Sequence, residues 1–397
     1  MTDPIKEAKK AMIPLSHYCV GCGICKAKNA AKIEETPKGF YKVDIGDPDW
    51  LKDVCPAGGI QTDSFDGTLW GKSVNKCYAW SNDDAIRKMA SSGGVLTEIA
   101  CTLLDQGIID GVIQISVDPE DQTKTVPCIS YSREEVIKNC GSRYTISHPL
   151  ELIDTLKRDK LYLFIGKPCD VDALKNASRI HRELQDMIPY TMSFFCAGLP
   201  SADAQKRLLS NLGCEKASCV SLRYRGNGWP GYATAKDKYG HTYKMDYATS
   251  WGQILGRDVM PMCRVCLNGI GETADIACGD GWYLRQDGEP DFSEREGRNI
   301  LLIRTDKGRE LVEIARQKGK LHVEHMTIPE ADLCTMQPYQ TLRRQTMLAK
   351  ILALKLLRRP VPAYPTSLLR KYAKTAPLRD RLGVFKGTLE RILKGKM

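Results

Sequence analysis

The chain has 397 residues, and its 42% hydrophobic and 27% charged residues are an ordinary balance for a globular protein with a large core, which excludes a mainly disordered chain. The N-terminus lacks an apolar signal segment and no apolar run is long enough to span a bilayer, so the sequence predicts a cytoplasmic protein whose sixteen cysteines serve metal binding or redox chemistry rather than secreted disulfides. The net charge of +10 comes from the C-terminal tail, because residues 343–397 carry 15 Lys and Arg against two acidic residues. Binding to nucleic acid or to a membrane would therefore have to involve the tail, and no specific nucleic-acid partner is expected.

The first chemical signal is a cysteine cluster in a small N-terminal module, predicted over residues 10–65. Three cysteines lie two residues apart in a glycine-bearing loop, a spacing that wraps the chain around one corner of an iron–sulfur cube. Where two-cluster ferredoxins have a fourth cysteine in the same run, this chain has Asn29, and a remote Cys55-Pro56 supplies the missing thiolate. The predicted ligands of one 4Fe-4S cluster are Cys19, Cys22, Cys25 and Cys55.

A zinc site or incidental buried thiols would also account for cysteines in this region. Zinc sites usually use two separated C-x2-C or C-x2-C/His pairs, whereas here three cysteines share one loop and the fourth lies in a distant Cys-Pro. The spacing favours a ferredoxin-like α+β module, with a short strand expected at residues 39–45.

The body, residues 72–335, alternates helix and strand signals. Helices are expected at 94–105, 149–158 and 171–177, and strands at 111–117, 161–166 and 190–196. This alternation predicts a mixed α/β fold in which helices cover a mostly parallel central sheet. Ligand-binding residues should then lie beyond the carboxyl ends of the strands.

Later segments complete the body. Ser201 and Gly213 have the character of N-cap and C-cap residues, which predicts a helix between them. Residues 232–247 alternate around a central turn and predict an antiparallel hairpin. A strand at 299–305 and a helix at 307–319 follow.

The C-terminal tail, residues 343–397, differs from the body. Its last 20 residues repeat apolar side chains at helical spacing with basic residues off that stripe, which predicts a basic amphipathic helix. The apolar stripe contains Leu378, Leu382, Phe385, Leu389, Ile392 and Leu393. Such a helix is suited to contact an acidic partner or the anionic surface of a membrane, here the inner membrane face. The alternative is a helix that packs on the body with its other face in solvent.

Four further cysteines form a less obvious set. Cys169 and Cys196 are at the ends of predicted strands, and Cys263 and Cys266 form a C-x2-C pair. If they converged at one edge of the sheet, they would complete a second four-thiolate site. Spacing alone leaves open the alternative that they are small buried hydrophobic residues.

Eight short motifs follow one another along the body. They are SSGGVLT at 91–97, GIIDGVI at 107–113, GSRY at 141–144, GKPCD at 166–170, FFCAGLPS at 194–201, YRGNGWPG at 224–231, CRVC at 263–266 and ADIACGDGW at 274–282. The ordered set resembles the beta-subunit family of coenzyme F420 (deazaflavin) hydrogenases and dehydrogenases, which includes 7-hydroxymethyl chlorophyll a reductase-like proteins. The resemblance covers roughly residues 15–325.

This resemblance implies a FAD-containing iron–sulfur oxidoreductase that moves electrons between clusters, flavin and a second partner. It also implies a second 4Fe-4S cluster, with Cys169, Cys196, Cys263 and Cys266 as its ligands. The chain departs from the family's pattern at Lys167, where Thr commonly precedes Pro-Cys, and at Ala197, where a polar residue or His often follows Phe-Cys. These departures leave the substrate open.

The same motifs contain candidate flavin contacts. Small residues at a helix start let a pyrophosphate approach the N–H groups there, and an arginine offers it a cation. The alternatives are an ordinary helix cap, a solvated or ion-paired arginine, and polar residues that only satisfy turns. The predicted contacts are Ser91, Ser92, Gly93, Gly94, Ser142, Arg143, Tyr144, Asn227, Trp229, Asp275, Gly279 and Asp280.

Together these features predict an iron–sulfur flavoprotein oxidoreductase. It would pass electrons between two 4Fe-4S clusters, FAD and a two-electron organic acceptor or donor such as a deazaflavin coenzyme, with a redox protein such as ferredoxin as partner. The alternatives are a non-catalytic subunit that only passes electrons within a larger redox complex, and binding of nucleic acid or membrane through the tail. No residue is assigned as the catalytic proton donor.

Overall fold

The structure, a computed structural model, describes residues 18–27, 31–37, 39–45, 48–57 and 65–395. Asn29, whose identity assigned the fourth ligand to Cys55, lies outside these residues. The strands of the described residues are β1 (Ala31–Glu35), β2 (Tyr41–Ile45), β3 (Asn75–Ser81), β4 (Gly111–Val117), β5 (Thr125–Ser130), β6 (Tyr162–Gly166), β7 (Tyr190–Phe194), β8 (Cys219–Arg223), β9 (Ala233–Asp237), β10 (Thr242–Met245), β11 (Ile276–Asp280), β12 (Tyr283–Leu284), β13 (Pro290–Asp291), β14 (Asn299–Ile303) and β15 (Leu321–Val323).

The α-helices of the same residues are α1 (Pro48–Val54), α2 (Asp84–Met89), α3 (Val95–Asp105), α4 (Arg133–Lys138), α5 (Pro168–Ile180), α6 (Arg182–Met187), α7 (Ala202–Leu212), α8 (Pro261–Arg264), α9 (Asp306–Gln317), α10 (Glu330–Met336), α11 (Pro338–Gln345), α12 (Met347–Leu356), α13 (Thr366–Lys374) and α14 (Leu378–Leu393). Within the described part of the chain, 3-10 helices cover Pro149–Thr155, Lys216–Ser218 and Leu255–Arg257, and a π-helix covers Ala248–Ile254.

The N-terminal module is a hairpin, a helix and a cysteine-bearing loop fixed to the body. Strands β1 and β2 pair antiparallel, and α1 follows them. The loop is anchored because Leu150 donates its N–H to the carbonyl of Cys22 at 3.0 Å. Gly23 has a φ of +84°, and an added Cβ would lie 2.7 Å from the carbonyl oxygen of His148, so only glycine fits this approach.

The central sheet has eight strands in the order β15-β3-β14-β11-β7-β6-β4-β5. Its middle is parallel, since β11 pairs with β7, β7 with β6 and β6 with β4 in that sense. The four outer pairings are antiparallel. The mixed α/β class is therefore confirmed, while the expectation of a mostly parallel sheet is corrected: three of the seven strand pairings are parallel, and the flanking strands pair in the opposite sense.

Helices cover both faces of this sheet because its strands are apolar on both sides. In β14, Leu301 packs toward α3 and α9, while Ile300 and Leu302 pack toward α10. Complete burial of each such side chain contributes about 1.5–3 kcal/mol relative to exposure. Helix α5 packs against the same sheet farther along, and so positions the residues that follow β6.

Other predicted elements differ in detail. The hairpin at residues 232–247 is present as β9 and β10, but it joins β8 in a separate three-stranded sheet. The helix expected at 149–158 is a shorter 3-10 helix, Pro149–Thr155. The helix between Ser201 and Gly213 is confirmed: the Ser201 hydroxyl accepts from the N–H of Ala204, and Gly213 ends the helix with a φ of +83°.

The tail is packed on the body, and its start is buried. Arg344 is 1% exposed and pairs with Glu272, and α12 packs against α14. The helix expected over the last 20 residues is present as α14, and its apolar stripe is partly buried: Ile392 is buried, whereas Leu378, Leu382 and Leu393 are 61%, 59% and 76% exposed. Only part of this apolar stripe therefore packs against α12. No helix of the described residues is both long and apolar enough to cross a bilayer.

Candidate metal centres and cofactor cavity

The first cysteine set surrounds a small cavity in the N-terminal module. Cys19, Cys22, Cys25 and Cys55 border a partly open cavity of about 20 Å³, and apolar residues such as Leu51 form its remaining sides. Three of these cysteines come from the loop, and Cys55 follows the last turn of α1. The structure thus brings together the four cysteines that the sequence spacing had grouped.

Backbone amides approach the sulfur atoms of this set. Gly21 donates its N–H to the Cys19 sulfur at 3.4 Å. Burial raises the pKa of the Cys19 thiol to about 12, and the neighbouring thiols Cys55 and Cys25 oppose its ionisation further. Thiols held in this way ionise when a metal centre compensates their charge. Among the described residues, no three His, Cys, Asp or Glu side chains are grouped closely enough to hold a single metal ion.

The second cysteine set converges from three parts of the fold. Cys169 lies in the first turn of α5, Cys196 follows β7, and Cys263 and Cys266 lie in and just after α8. Burial raises the pKa of Cys169, and Cys196 and Cys266 raise it further by their charges. The same two thiols act on Cys263, so all four sulfur atoms are electrostatic neighbours. Leu199 donates its N–H to the Cys263 sulfur at 3.3 Å.

A buried arginine faces the second set. Arg343 is 3% exposed, and it donates to the carbonyl of Cys196 at 3.0 Å and to Gln340 at 2.5 Å. Its charge lowers the pKa of Cys196, Cys263 and Cys266 against the raising effect of their burial. Sequence reasoning missed this residue because it counted Arg343 with the tail charges.

A buried ion pair lies beside both sets. The ammonium of Lys167, a residue 8% exposed, contacts the two carboxylate oxygens of Asp170 at 2.7 and 2.8 Å, and the same carboxylate accepts the Lys167 backbone N–H at 3.0 Å. Burial opposes the charged form of Lys167, but Asp170 and the thiols Cys169 and Cys22 outweigh it, so its pKa is raised. The pair caps α5 directly after β6.

A large cavity of about 280 Å³ opens at the carboxyl ends of the parallel strands. It is bordered by the start of α3, by the residues after β6 and β7, by the end of β11 and by residues 139–147. Lys167 and Cys196 both belong to its wall, so the cavity adjoins the second cysteine set. Its location agrees with the rule that ligands bind beyond the carboxyl ends of parallel strands.

Eight of the predicted flavin contacts border this cavity. They are Ser91, Ser92, Gly94, Ser142, Arg143, Tyr144, Gly279 and Asp280. The SSGG and GSRY motifs also meet each other, since the Ser91 hydroxyl accepts from the N–H of Ser142 at 2.7 Å. An added Cβ on Gly279 would collide with the Phe195 ring, which forms part of the same wall.

The other four predicted contacts, although all are described, lie away from the cavity wall. Asp275 is at the opposite end of β11, where its carboxylate accepts from the Thr191 N–H at 2.9 Å and the Thr305 hydroxyl at 2.8 Å. Trp229 is buried behind the wall and donates to Asp280 at 2.8 Å. Asp275 and Trp229 therefore do not border the cavity, and their hydrogen bonds hold strands and side chains together.

Gly93 and Asn227 likewise lie outside the wall. An added Cβ on Gly93 would lie 2.8 Å from the Asn299 side chain, so this glycine serves close packing under the helix start. Asn227 occupies a turn with a φ of +56°. Neither residue borders the cavity.

Arg143 and Tyr144 border the cavity but are already engaged. The Arg143 guanidinium donates to the carbonyls of Leu222 and Gln122, both at 2.6 Å, so it ties segments together in addition to facing the cavity. The Tyr144 ring packs against Trp251 with 4.8 Å between ring centroids.

An aromatic wall around Arg225 was only partly foreseen. Arg225 is 4% exposed and forms two hydrogen bonds with Asp280, at 2.9 and 3.0 Å. Its guanidinium lies over the Tyr247 ring at 4.6 Å, and Tyr247 and Trp282 also border the cavity. Arg225 belongs to the YRGNGWPG motif, but no sequence signal pointed to Tyr247, which comes from a separate segment.

Family profiles match most of the body. The profile for the C-terminal part of the coenzyme F420 hydrogenase/dehydrogenase beta subunit matches residues 159–328, and the profile for the N-terminal part of the same beta subunit matches residues 77–154. The first cysteine set precedes both matched regions.

Individual relatives agree with these profiles. The coenzyme F420 hydrogenase subunit beta of Methanosarcina barkeri is 26% identical over 250 residues, which are 61% of this chain and 78% of that protein. The chloroplastic 7-hydroxymethyl chlorophyll a reductase of Oryza sativa subsp. japonica is 22% identical over 309 residues, 76% of this chain and 62% of that protein.

A solved structure shares the fold. One chain of the F420-reducing NiFe hydrogenase complex from Methanosarcina barkeri superposes with a TM-score of 0.52 and 21% identity, covering 70% of this chain and 94% of that chain. Because the two family profiles together match more than half of the residues, the chain belongs to the coenzyme F420 hydrogenase/dehydrogenase beta-subunit family, a family of oxidoreductase subunits.

Proposed function

We propose that the chain is an iron–sulfur flavoprotein oxidoreductase. It passes electrons between two 4Fe-4S clusters, FAD and a two-electron organic acceptor or donor such as a deazaflavin coenzyme. The observation that carries this proposal is the joint placement of two four-cysteine sets and one large cavity, with Cys196 in the cavity wall and the Lys167–Asp170 pair beside both sets. An electron path requires such adjacency.

The donor chemistry of both sets fits clusters. Each set offers four thiols, the preferred ligands of 4Fe-4S, and amide N–H groups approach Cys19 and Cys263. Cys19, Cys22, Cys25 and Cys55 all border one cavity, as the four ligands of a single cluster must. Arg343 supplies a buried positive charge that would compensate the negative charge of four thiolates.

The cavity fits a flavin dinucleotide. Ser91, Ser92 and Gly94 of the cavity wall lead into helix α3, where the N–H groups of the first turn and the helix dipole favour a phosphate. At other points the wall offers flat side chains, among them Tyr247, Trp282 and Phe194, and Phe194 is 37% exposed toward open space. Planar walls suit a planar ring system.

Bound flavin and clusters would supply the conversion between one-electron and two-electron chemistry. The chain itself supplies the surroundings. The Arg225–Asp280 pair fixes the aromatic wall, and the residues after β6 and β7 bring Lys167 and Cys196 into the cavity wall. A redox protein such as ferredoxin is the proposed external partner of the first set.

Anaerobic purification with iron, sulfide and flavin quantitation tests the proposal. We expect about eight iron atoms per chain, because two four-thiolate sites each hold about four, together with about one FAD. About four iron atoms would reject the second cluster, and bound zinc would reject the first.

The alternative, an electron-wiring subunit without catalysis of its own, is favoured by the solved relative, which is part of a hydrogenase complex. Reduction of a deazaflavin by the isolated, reduced chain would reject it, whereas transfer only to a partner protein would support it. We also propose that α14 contacts an anionic membrane surface, because it exposes Leu378, Leu382 and Leu393 on a basic helix.

A further inference from the structure

A further cavity, of about 300 Å³, lies beside the first residues of β7 and β11, at the end of the sheet opposite the cofactor cavity. It is bordered by α5, by residues 185–191, by the turn before β11 and by the first turn of α9. Its residues belong neither to the cofactor cavity nor to a cysteine set. Small-molecule sites usually have about 300–1,000 Å³, so this cavity is large enough for a ligand of its own.

Three cationic side chains border this cavity. Lys175 and Arg179 lie on one face of α5, one helical turn apart, and Lys307 lies in the first turn of α9. Among the described residues that border the cavity, none is Asp or Glu. A wall with three basic and no acidic side chains favours an anionic ligand.

Both lysines of this wall keep hydrogen-bond donors for a ligand. The ammonium of Lys175 is 3.7 Å from the carboxylate of Asp275, which is longer than a hydrogen bond, and this carboxylate already accepts from two threonines. Lys307 donates to the carbonyl of Pro189 at 3.2 Å. Because an ammonium has three donors, each lysine can also donate to an anion in the cavity.

Two hydroxyl groups indicate the chemistry of the rest of the ligand. Ser178 donates to the carbonyl of Leu174 at 2.8 Å, and Thr273 donates to the carboxylate of Asp172 at 2.7 Å. Each hydroxyl has therefore used its proton, and its oxygen atom is left as an acceptor. Acceptors in the wall suit a ligand that carries donors of its own, such as alcohol groups.

We propose that this cavity binds a small phosphorylated alcohol, such as a sugar phosphate. Lys175, Arg179 and Lys307 hold the phosphate, since ammonium and guanidinium groups are common phosphate partners. Three cations match the three terminal oxygens of a phosphate ester better than the two oxygens of a carboxylate. The alcohol groups donate to Ser178 and Thr273. The inference does not depend on the proposed function, because it requires neither a cluster nor a flavin.

Isothermal titration calorimetry of the full chain, purified anaerobically, tests the inference. We expect ribose 5-phosphate to bind at one site and more tightly than inorganic phosphate, and we expect ribose not to bind. In Lys175→Gln/Lys307→Gln the dissociation constant should rise about tenfold or more, because two charge-assisted hydrogen bonds are lost. The matched control is Lys318→Gln/Lys320→Gln, which removes the same charge from exposed lysines beyond the other end of α9 and should bind as the wild type does.

Further arms of the experiment distinguish this cavity and this ligand from others. Ser178→Ala should weaken the binding of ribose 5-phosphate but leave that of inorganic phosphate unchanged, and Lys307→Gln alone should weaken both if the double variant does not fold. Competition between ribose 5-phosphate and FAD would place the ligand in the cofactor cavity and overturn the inference. So would tighter binding of succinate than of either phosphate, an equal loss of affinity in the two double variants, or no saturable binding.

Discussion

At the scale of residues, the cysteines occupy two kinds of surroundings. Cys77, Cys101 and Cys278 are packed among apolar side chains beside the sheet, where a thiol acts as a small hydrophobic group. Cys55 instead borders the cavity that three other cysteines share. The same residue type therefore serves packing at one place and offers a ligand at another, and substitution should distinguish the two.

We expect Cys55→Ser to lose about four of the iron atoms, because the first set then offers three thiolates, while the second set is unaffected. The matched control is Cys77→Ala, which removes a buried sulfur from the apolar layer and should keep all of the iron. Iron and sulfide quantitation after anaerobic purification measures both. Equal iron in Cys55→Ser and the wild type would contradict the assignment of Cys55.

His148 makes the stability of the fold depend on pH. Burial, and then the charges of Lys26 and Lys167, lower the pKa of His148 from 6.5 to about 3. The unfolded chain therefore binds one more proton than the folded chain between these values, and stability falls by about 1.4 kcal/mol for each pH unit as the pH decreases through this window.

Replacement of His148 should weaken this dependence. His148 has a φ of +48°, which asparagine tolerates, so His148→Asn is expected to unfold at a lower pH than the wild type. Far-UV circular dichroism under anaerobic conditions measures the acid midpoint. The exposed His325 provides the control, since His325→Asn should leave the midpoint where it is. An equal shift in both variants would refute the role of His148.

At the scale of elements, local sequence predicted individual strands and helices better than their arrangement. The strand at 111–117 is found as β4, since Val112 and Ile113 are buried whichever neighbours they meet. The antiparallel flanks were not foreseen, because the pairing of β3 with β14 joins segments more than 200 residues apart. Strand adjacency depends on such long-range packing, which no local pattern contains.

In the candidate site, too, local sequence patterns predicted some residues, whereas others depend on long-range packing. The loop cysteines were predictable because cluster geometry demands their spacing. Arg343 was not predictable, since it comes close to the second cysteine set only when α11 packs against that set. Asp275 was assigned to the cavity from its motif, but the strand that separates it from Asp280 places the two at opposite ends.

Helix α14 offers a test of the proposed membrane contact. Leu378 and Leu382 are one turn apart and exposed, beside Arg379 and Arg381. We expect the chain to float with liposomes containing anionic lipid and to be released by salt, and Leu378→Gln/Leu382→Gln should reduce the bound fraction several-fold. Leu284→Gln, at an exposed leucine far from the tail in sequence, is the matched control. Binding that is equal in both variants would exclude α14 as the contact.

At the scale of the whole molecule, the module, the body and the tail share one apolar core. A single cluster of buried side chains includes Leu51 from the module, Phe164 and Leu174 from the body, and Ile351 and Tyr372 from the tail. The boundaries predicted at residues 10–65, 72–335 and 343–397 are therefore not boundaries of separate cores. Loss of the tail should disturb the surroundings of both cysteine sets.

Arg344 forms the central polar contact between the tail and the body. It is 1% exposed, and its guanidinium donates to the carboxylate of Glu272 in the body and to the hydroxyl of Tyr372 in the tail. Removal of one partner from a buried ion pair typically costs about 3–5 kcal/mol, because the other charge is left without compensation. We therefore expect Arg344→Gln to lower the thermal midpoint strongly and to release iron, as measured by calorimetry and by absorbance of the clusters.

Substitution of both Arg344 and Glu272 distinguishes the effect of an unpaired buried charge from the effect of lost packing. In Arg344→Met/Glu272→Leu neither charge is left buried, so the double variant should be more stable than Arg344→Gln even though it lacks the same ion pair. Arg370→Gln, at an exposed arginine of α13, should change neither stability nor iron content. If the double variant were as unstable as Arg344→Gln, the instability would come from lost packing and hydrogen bonds between the tail and the body, and not from an uncompensated carboxylate.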